Sequence, residues 1–229
     1  MLEKRKKISK KQIKEDKLVT TYYEAISFYQ KYQSKILIGI AAVALVVVAI
    51  VLYSNKKASD NLVAANLLGK VMPLYEAENF KEAIDGQKTG NIAGLKEIVD
   101  KYGSTNQGNV AKIFLGDCYA MTGNNDEAFK MYDDYSGSNP LFKATALAGK
   151  AACLEVKKEF DKAADLYKDA SKISKENPSN SEFLLKAGID LIQAGKKSEA
   201  KTVFETLKKD YKNSTEAYES DRYLIQIES

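Results

Sequence analysis

The chain contains no histidine, and only two of its 229 residues are cysteines, Cys118 and Cys153. The lack of histidine excludes histidine-based acid–base catalysis and histidine metal ligands. Two cysteines do not make a disulfide framework. A glycine-rich phosphate loop, a CxxC pair and a nucleophile-elbow motif are also missing. We therefore predict a protein that is not an enzyme and that uses no cofactor or metal.

Charge is missing altogether from eighteen consecutive residues, Ile36–Tyr53. As a helix this stretch is roughly 27 Å long, close to the thickness of a bilayer's hydrocarbon core. A buried helix of a soluble domain is the alternative, but a helix that is apolar on every side offers no face to water. Thirty-five residues precede the stretch and no small-residue cleavage site follows it. We therefore expect an uncleaved transmembrane helix and not a signal peptide.

Positive charge is concentrated before this stretch. Residues 1–35 contain ten basic and four acidic residues, a formal charge of +6, whereas the whole chain is +4 and the remainder therefore carries −2. The positive-inside rule then places residues 1–35 in the cytoplasm and residues 54–229 across the membrane. Met1–Lys17 is a lysine-rich tail of the kind that is usually solvated and disordered. Weak attraction to anionic lipid or ribosomal RNA is the alternative, without specific nucleic-acid recognition.

The residues just before the apolar stretch have a pattern of their own. Thr21 and Glu24 have the spacing of a capping box, and Tyr22, Ile26 and Tyr29 recur at helical spacing. This pattern predicts an amphipathic helix that begins near Thr21 and lies at the membrane interface. It is either an aromatic belt that fixes the helix in the membrane or a docking surface for a membrane partner.

A period of about 35 residues appears in the second half of the chain. The small residues Gly116, Ala151 and Gly188 are each followed twelve positions later by an alanine (Ala128, Ala163, Ala200) and after four more by an aromatic residue (Tyr132, Tyr167, Phe204). Small residues let antiparallel helices approach closely, and the aromatic side chain fills the space to the next pair. Such pairs stack because one pair cannot bury its own apolar face.

Details of the period lead to further expectations. Residues of helix N-cap type stand two positions before each alanine, at Asp126, Asp161 and Ser198. A step of 34 residues back from Ala128 and Tyr132 leads to Gly94 and Ile98, which we interpret as a weaker first copy. Asn79–Gly90 is expected to be irregular. In the middle copy Gly149 and Ala151 compete for the helix-contact position, so that the register of its first helix stays open.

Seven residues follow the order and spacing of the tetratricopeptide repeat (TPR), namely Leu115, Gly116, Tyr119, Gly123, Ala128, Tyr132 and Pro140. Gly188, Gly195, Ala200 and Phe204 repeat much of this pattern, whereas Lys158 replaces the turn glycine of the middle copy. The resemblance implies an all-α fold. We expect a single N-terminal transmembrane helix, then a TPR-like α-solenoid of about three to four helix pairs with Thr215–Ile227 as its closing helix.

The predicted layout comprises a basic cytoplasmic tail with its pre-membrane helix (1–35), one span (36–53) and a TPR-like domain (54–229). It resembles the YfgM-type proteins, ancillary subunits of the bacterial SecYEG translocon, and the segment GLKEIVDKYGSTNQGNVAKIFLGDCYAMTG resembles versions from Bacteroidetes-like bacteria. The resemblance implies a single-pass inner-membrane protein with a periplasmic domain. Its partners would be SecYEG and a membrane-anchored periplasmic chaperone of the PpiD type. The alternative is a structural scaffold in another envelope complex.

The TPR resemblance also implies a binding groove lined by the first helix of each pair. It places there Val110, Ile113, Asp117 and Met121 from one copy and Glu182, Leu185, Ile189 and Gln193 from another. This set lacks the Lys/Asn/Arg residues with which TPR domains clamp a terminal carboxylate, and its apolar character suits a partner helix or an unfolded segment. The alternative is that these side chains belong partly to the core.

Cys118 and Cys153 lie one repeat apart, at nearly equivalent places in neighbouring pairs. Packed helices are about 8–10 Å apart, beyond the Cα separation of about 7 Å that a disulfide tolerates. We therefore expect two buried free thiols that act as small hydrophobic side chains.

Overall fold

The computed structural model describes residues 10–228, with side chains described for residues 17–227. The helices are α1 (Lys10–Glu76), α2 (Phe80–Asp85), α3 (Leu95–Tyr102), α4 (Asn106–Met121), α5 (Asn125–Asp133), α6 (Pro140–Val156), α7 (Phe160–Lys172), α8 (Asn180–Gln193), α9 (Lys197–Asp210) and α10 (Thr215–Glu228). A two-stranded antiparallel hairpin, β1 (Gly86–Gln87) and β2 (Ile92–Ala93), lies between α2 and α3. The expected all-α architecture is confirmed, with this hairpin as a small addition.

The chain divides into two compact units between Lys56 and Lys57. In the first unit the described residues form the N-terminal part of α1. An 18-residue window of this helix has a mean hydropathy of 3.1 and is not buried against any other residue. By length and composition, it is the one helix in the described part of the chain that could cross a membrane.

The expected helix start near Thr21 is wrong. Helix α1 begins no later than Lys10, so Thr21 lies in its interior and not at an N-cap. No glycine or proline occurs between Lys10 and Lys35, and an uninterrupted run of this kind continues a helix that has already formed. The aromatic cluster before the apolar stretch is present: the ring centroids of Phe28 and Tyr32 are 4.7 Å apart. Lys31 Nζ lies 5.3 Å from the Tyr32 ring centroid. The role of this aromatic cluster, as a membrane belt or as a docking surface, stays a prediction.

The second unit is a row of antiparallel helix pairs, and the same type of turn joins the two helices of each pair. The pairs are the end of α1 with α2, α4 with α5, α6 with α7, and α8 with α9, and α10 packs beside the last pair. Each turn contains one residue with a positive φ: Glu78 (58°), Gly123 (79°), Lys158 (60°) and Gly195 (76°). The next residue donates its backbone N–H to a carbonyl five residues earlier, at 2.8–2.9 Å. This is the Schellman arrangement, which ends one helix and directs the chain into the next.

The first copy of the repeat is not where a 34-residue step placed it. Gly94 precedes α3 as its N-cap and Ile98 lies within α3, which is not the second helix of a pair. Ala83 holds the repeat position, five residues after Glu78, and is fully buried. The hairpin and α3 are inserted after it, so the step from this copy to the next is longer than the period. Asn79–Gly90, expected to be irregular, contains α2 and β1.

The expected N-cap residues are also displaced. The N-caps of α5, α7 and α9 are Asn124, Glu159 and Lys196. Asp126, Asp161 and Ser198 occupy the second position of those helices. The left-handed residue ends each turn earlier than the sequence pattern suggested. The second helix of each pair therefore begins before the residue that we expected as its N-cap. The carboxylates of Asp126 and Asp161 then lie in the first turn, where they interact favourably with the helix dipole.

The close-contact residues are confirmed. Ala128, Ala163 and Ala200 are fully buried, and so is Ala151 of the middle copy. The competing residue, Gly149, packs against the aromatic ring of the preceding pair. A Cβ on Gly149 would lie 2.5 Å from Tyr132 Cζ, and one on Gly116 would lie 2.8 Å from Tyr132 Cε1. Tyr132 therefore fits between two helices because both present glycine to its ring.

The two cysteines are free and buried, as expected. Burial, and then the charge of Asp117, raises the pKa of the Cys118 thiol to about 12. Burial also raises the pKa of Cys153. Both thiols are therefore protonated at neutral pH, and they act as small hydrophobic side chains.

The ring contact of Gly149 leads to a prediction about stability. Gly149→Ala should lower the free energy of unfolding by roughly 1–3 kcal/mol because the new methyl group overpacks against Tyr132. The control is Gly69→Ala in α1, where a Cβ would have no neighbour within 4 Å. That change should stabilise by about 0.5–1 kcal/mol through helix propensity. Denaturant unfolding of the full-length protein in mild detergent measures both, and equal shifts would contradict the packing.

A second prediction concerns the turn at Lys158. Its φ of 60° is strained for an L-residue, by about 1–2 kcal/mol. Lys158→Gly should therefore raise the free energy of unfolding by up to about 1 kcal/mol. Lys162→Gly, an identical change at an exposed position inside α7, should lower it by about 1 kcal/mol. If the two variants shift the unfolding midpoint in the same direction, Lys158 does not have the left-handed conformation.

Candidate protein-binding groove

A cleft of ≈350 Å³ lies between the first helices of the last three pairs. We call this cleft the groove. Asp117 of α4 lines one wall, Thr145, Ala148, Gly149 and Ala152 of α6 form the floor, and Ser179, Glu182, Phe183 and Lys186 line the other wall, with the rings of Tyr132 and Tyr167 between them. The groove thus combines a floor of small residues with polar groups on both walls.

The floor follows from the sequence of α6. Its four residues have the spacing i, i+3, i+4 and i+7, which places them on one face of the helix. None has a side chain larger than that of Thr145. The backbone of a partner could therefore lie close to α6, whereas leucine or phenylalanine side chains on this face would keep it further away.

The eight predicted groove residues are Val110, Ile113, Asp117, Met121, Glu182, Leu185, Ile189 and Gln193. Of these, Asp117 and Glu182 line the groove. Ile113 is 2% exposed and packs in a core cluster with Tyr132, and Leu185 is 7% exposed and belongs to the core of the last pairs. These two are unavailable to a partner in this structure. The alternative, that part of the set is core, holds for them.

The other four predicted residues lie outside the lining of the groove. Val110 is half-buried against the core of the first pairs. Ile189 is half-buried against the core of the last pairs. Met121 is 71% exposed at the end of α4, and Gln193 is exposed at the end of α8. From the predicted α8 set only Glu182 lines the groove, and its neighbours there are Phe183 and Lys186, which the sequence pattern did not indicate. Whether the groove binds a partner stays a prediction.

Sequence analysis missed the floor because the register of α6 was open. Helix α6 contains alanine or glycine at many positions. Its buried face and its groove face therefore consist of the same types of residue. A signal was available in the i, i+3, i+4, i+7 spacing from Thr145 to Ala152. It became decisive only once the structure showed that Ala151 contacts the paired helix.

Asp117, on one wall of the groove, joins three helices. Its carboxylate accepts hydrogen bonds from the Tyr132 hydroxyl at 2.6 Å and from the Tyr75 hydroxyl at 3.2 Å. Burial raises the pKa of Asp117, and the two phenol hydrogen bonds oppose that shift. Burial and the charge of Asp117 raise the pKa of both phenols. The two tyrosines therefore stay neutral donors and hold the carboxylate in place.

A second polar cluster lies between α6 and α8, outside the lining of the groove. Asp190 of α8 is 2% exposed, and its carboxyl group is hydrogen-bonded to Glu155 of α6. The Tyr167 hydroxyl donates to Glu155 Oε2 at 3.2 Å. Among the described residues Asp190 Oδ2 has no hydrogen-bond partner. Burial, and then the charge and hydrogen bond of Glu155, raises the pKa of Asp190 to about 8, whereas Lys186 lowers it. Asp190 therefore holds a proton at neutral pH.

No group of three or more histidine, cysteine, aspartate or glutamate side chains that could hold a metal occurs in the described part of the chain. The two thiols are buried, and the polar clusters consist of carboxyl, phenol and ammonium groups.

Comparison with known families agrees with this geometry. Residues 182–214 match the tetratricopeptide repeat. The match covers α8 and α9, the last helix pair. Tetratricopeptide repeats are non-catalytic and mediate protein–protein interaction. Neither the curated proteins nor the solved structures give a match to this chain.

The raised pKa of Asp190 leads to a prediction about how stability depends on pH. The pKa of Asp190 is raised from 3.8 to about 8 on folding, so the folded state binds more protons than the unfolded state between these values. Its contribution to stability is therefore lost as the pH rises through this window, at no more than about 1.4 kcal/mol per pH unit. Asp190→Asn keeps a donor toward Glu155 without a titrating proton and should flatten the pH dependence.

Unfolding by denaturant at pH 5 and pH 8 measures the effect. The control is Asp169→Asn, which removes an exposed carboxylate paired with Lys172 and should keep the slope of the unaltered protein. If Asp190→Asn retains the full slope as well, the buried pair does not carry the proton.

Proposed function

We propose that this protein is a membrane-anchored, non-enzymatic TPR interaction module and an accessory subunit of the SecYEG protein-export translocon. It spans the bacterial inner membrane once, with its N-terminus in the cytoplasm and residues 54–229 in the periplasm. There the groove binds a membrane-anchored chaperone of the PpiD type that assists newly translocated proteins. The observation that carries the proposal is the combination of an exposed, charge-free helix with a solenoid groove in one chain.

The apolar helix supports the membrane part of the proposal. The window that could cross a membrane has no buried residues, so it has no place in a soluble core. Ile38, Leu45 and Leu52 are among its exposed side chains, at 69%, 71% and 65%. That much exposed apolar surface is costly in water and favourable in lipid. The charge of +6 on residues 1–35 supports a cytoplasmic N-terminus.

The groove supports the partner part of the proposal. Lipid gives no hydrophobic reward for helix pairing, so a membrane contact needs small residues that let two helices approach. The apolar stretch contains one glycine, Gly39, and no GxxxG pattern. The small floor of α6, between polar walls, offers a better contact for a partner segment. We therefore assign recognition of the chaperone to the groove and retention in the bilayer to the apolar helix.

Purification of the tagged full-length protein from membranes in mild detergent tests the proposal. We expect translocon subunits and a membrane-anchored periplasmic chaperone to co-purify. Thr145→Trp places a large ring on the floor of the groove and should reduce the recovered chaperone several-fold. The matched control is Lys143→Trp, also exposed on α6 but outside the lining of the groove, and it should have no effect.

The outcomes separate the alternatives. Recovery of an unrelated envelope assembly, without translocon subunits, would replace the export function with that of a structural scaffold. If the unaltered protein, Thr145→Trp and Lys143→Trp recover equal amounts of the chaperone, docking does not use the groove.

A further inference from the structure

Asp190 occupies a position that the neighbouring repeats fill with an apolar side chain. It lies five residues before the turn residue Gly195, as Cys118 lies before Gly123 and Cys153 before Lys158. All three side chains are buried, to 2% exposure or less. A thiol fits such a site at little cost, whereas a buried carboxyl group costs free energy unless it is fully paired. Its carboxyl group interacts with a second carboxyl group, that of Glu155, so packing alone does not account for it.

The pair lies just beyond the lining of the groove, about one helical turn further along α6 and α8. Glu155 is three residues beyond Ala152 on the floor helix, and Asp190 is four residues beyond Lys186 on the wall helix. Both steps stay on the same helix face. Tyr167, whose ring lines the groove, donates its hydroxyl to Glu155. Glu155 is half-buried, so a side chain that lies in the groove could reach it first.

The groups that face the pair are short of positive charge. Tyr167 of α7 is neutral, and the charges of Glu155, Asp190 and Glu182 all raise its pKa after burial. Lys186 supplies the one ammonium group of this set. It lies 3.5 Å from Glu182 and 5.6 Å from the centre of the Tyr167 ring. Three carboxyl groups thus share one cation, and Asp190 Oδ2 has no partner among the described residues.

We propose that Glu155 and Asp190 form a subsite for one lysine or arginine side chain of the segment that binds in the groove. The inference rests on the proposed function of the groove and adds the chemistry of its ligand. In the free protein the Asp190 carboxyl group holds a proton. An incoming ammonium or guanidinium group takes the place of that proton, which is released to solvent, and the unpartnered oxygen gains a charged donor. Neutral and acidic side chains cannot make this exchange.

The test uses the full-length protein in mild detergent and a random library of displayed dodecapeptides. Peptides are selected on the unaltered protein and depleted on Thr145→Trp, so that the survivors depend on the groove. Each selected peptide is then synthesised twice, with its arginine and with citrulline, the uncharged analogue of the same shape. Binding is measured by fluorescence anisotropy at pH 7.

We expect citrulline to weaken binding to the unaltered protein by roughly tenfold, the loss of one charge-assisted hydrogen bond. The arginine and citrulline peptides should bind equally to Asp190→Asn and Glu155→Gln. Lys186→Met removes the competing ammonium group and should widen the difference, whereas Asp169→Asn should leave it unchanged. Calorimetry in two buffers of different ionisation enthalpy should show release of up to about one proton with arginine.

The failures are distinguishable. Groove-dependent peptides without a basic residue, or with equal affinity after the citrulline change, would overturn the subsite and leave the groove as a binding site. If no peptide depends on the groove, the proposed function and the subsite fail together. Since Asp190→Asn and Glu155→Gln remove the same effect from different helices, misfolding of one variant does not decide the outcome.

Discussion

The solenoid depends on the distance between helices that meet at a small residue beneath an aromatic ring. Tyr132 is the clearest case, because its ring lies against Gly116 of its own pair and Gly149 of the next. One side chain therefore sets two spacings, the first within a pair and the second between pairs. A methyl group on either glycine would push the helices apart. The groove inherits this geometry, since Gly149 and Tyr132 both belong to its lining.

The left-handed turn is the second constraint, and the repeats satisfy it unequally. Two turns use glycine, for which a positive φ costs little, and two use Glu78 and Lys158. The Schellman hydrogen bonds are the same in all four. The backbone of the turn is therefore imposed by the packing of the two helices as much as by the residue that occupies it. Loss of the consensus glycine does not mark the loss of a repeat.

The two buried carboxyl groups of the repeats, Asp117 and Asp190, have different surroundings. Asp117 is held by two phenols that keep it paired, and it serves to join three helices. Asp190 lacks that support and faces another carboxyl group. The first arrangement stabilises the fold, whereas the second lowers stability at neutral pH. This contrast is the reason why we assign packing to Asp117 and propose recognition for Asp190.

The sequence by itself determined the helical repeat, the close-contact residues Ala128, Ala163 and Ala200, and the charge-free stretch, because each depends on spacing along a single helix. It did not determine the first copy, which the inserted hairpin and α3 displaced, or the N-terminal limit of α1. Only the tertiary structure decided which face of α6 forms the floor and that Ile113 and Leu185 are buried. Small and apolar residues suit a core and a groove equally well, and the distinction depends on which helix lies opposite.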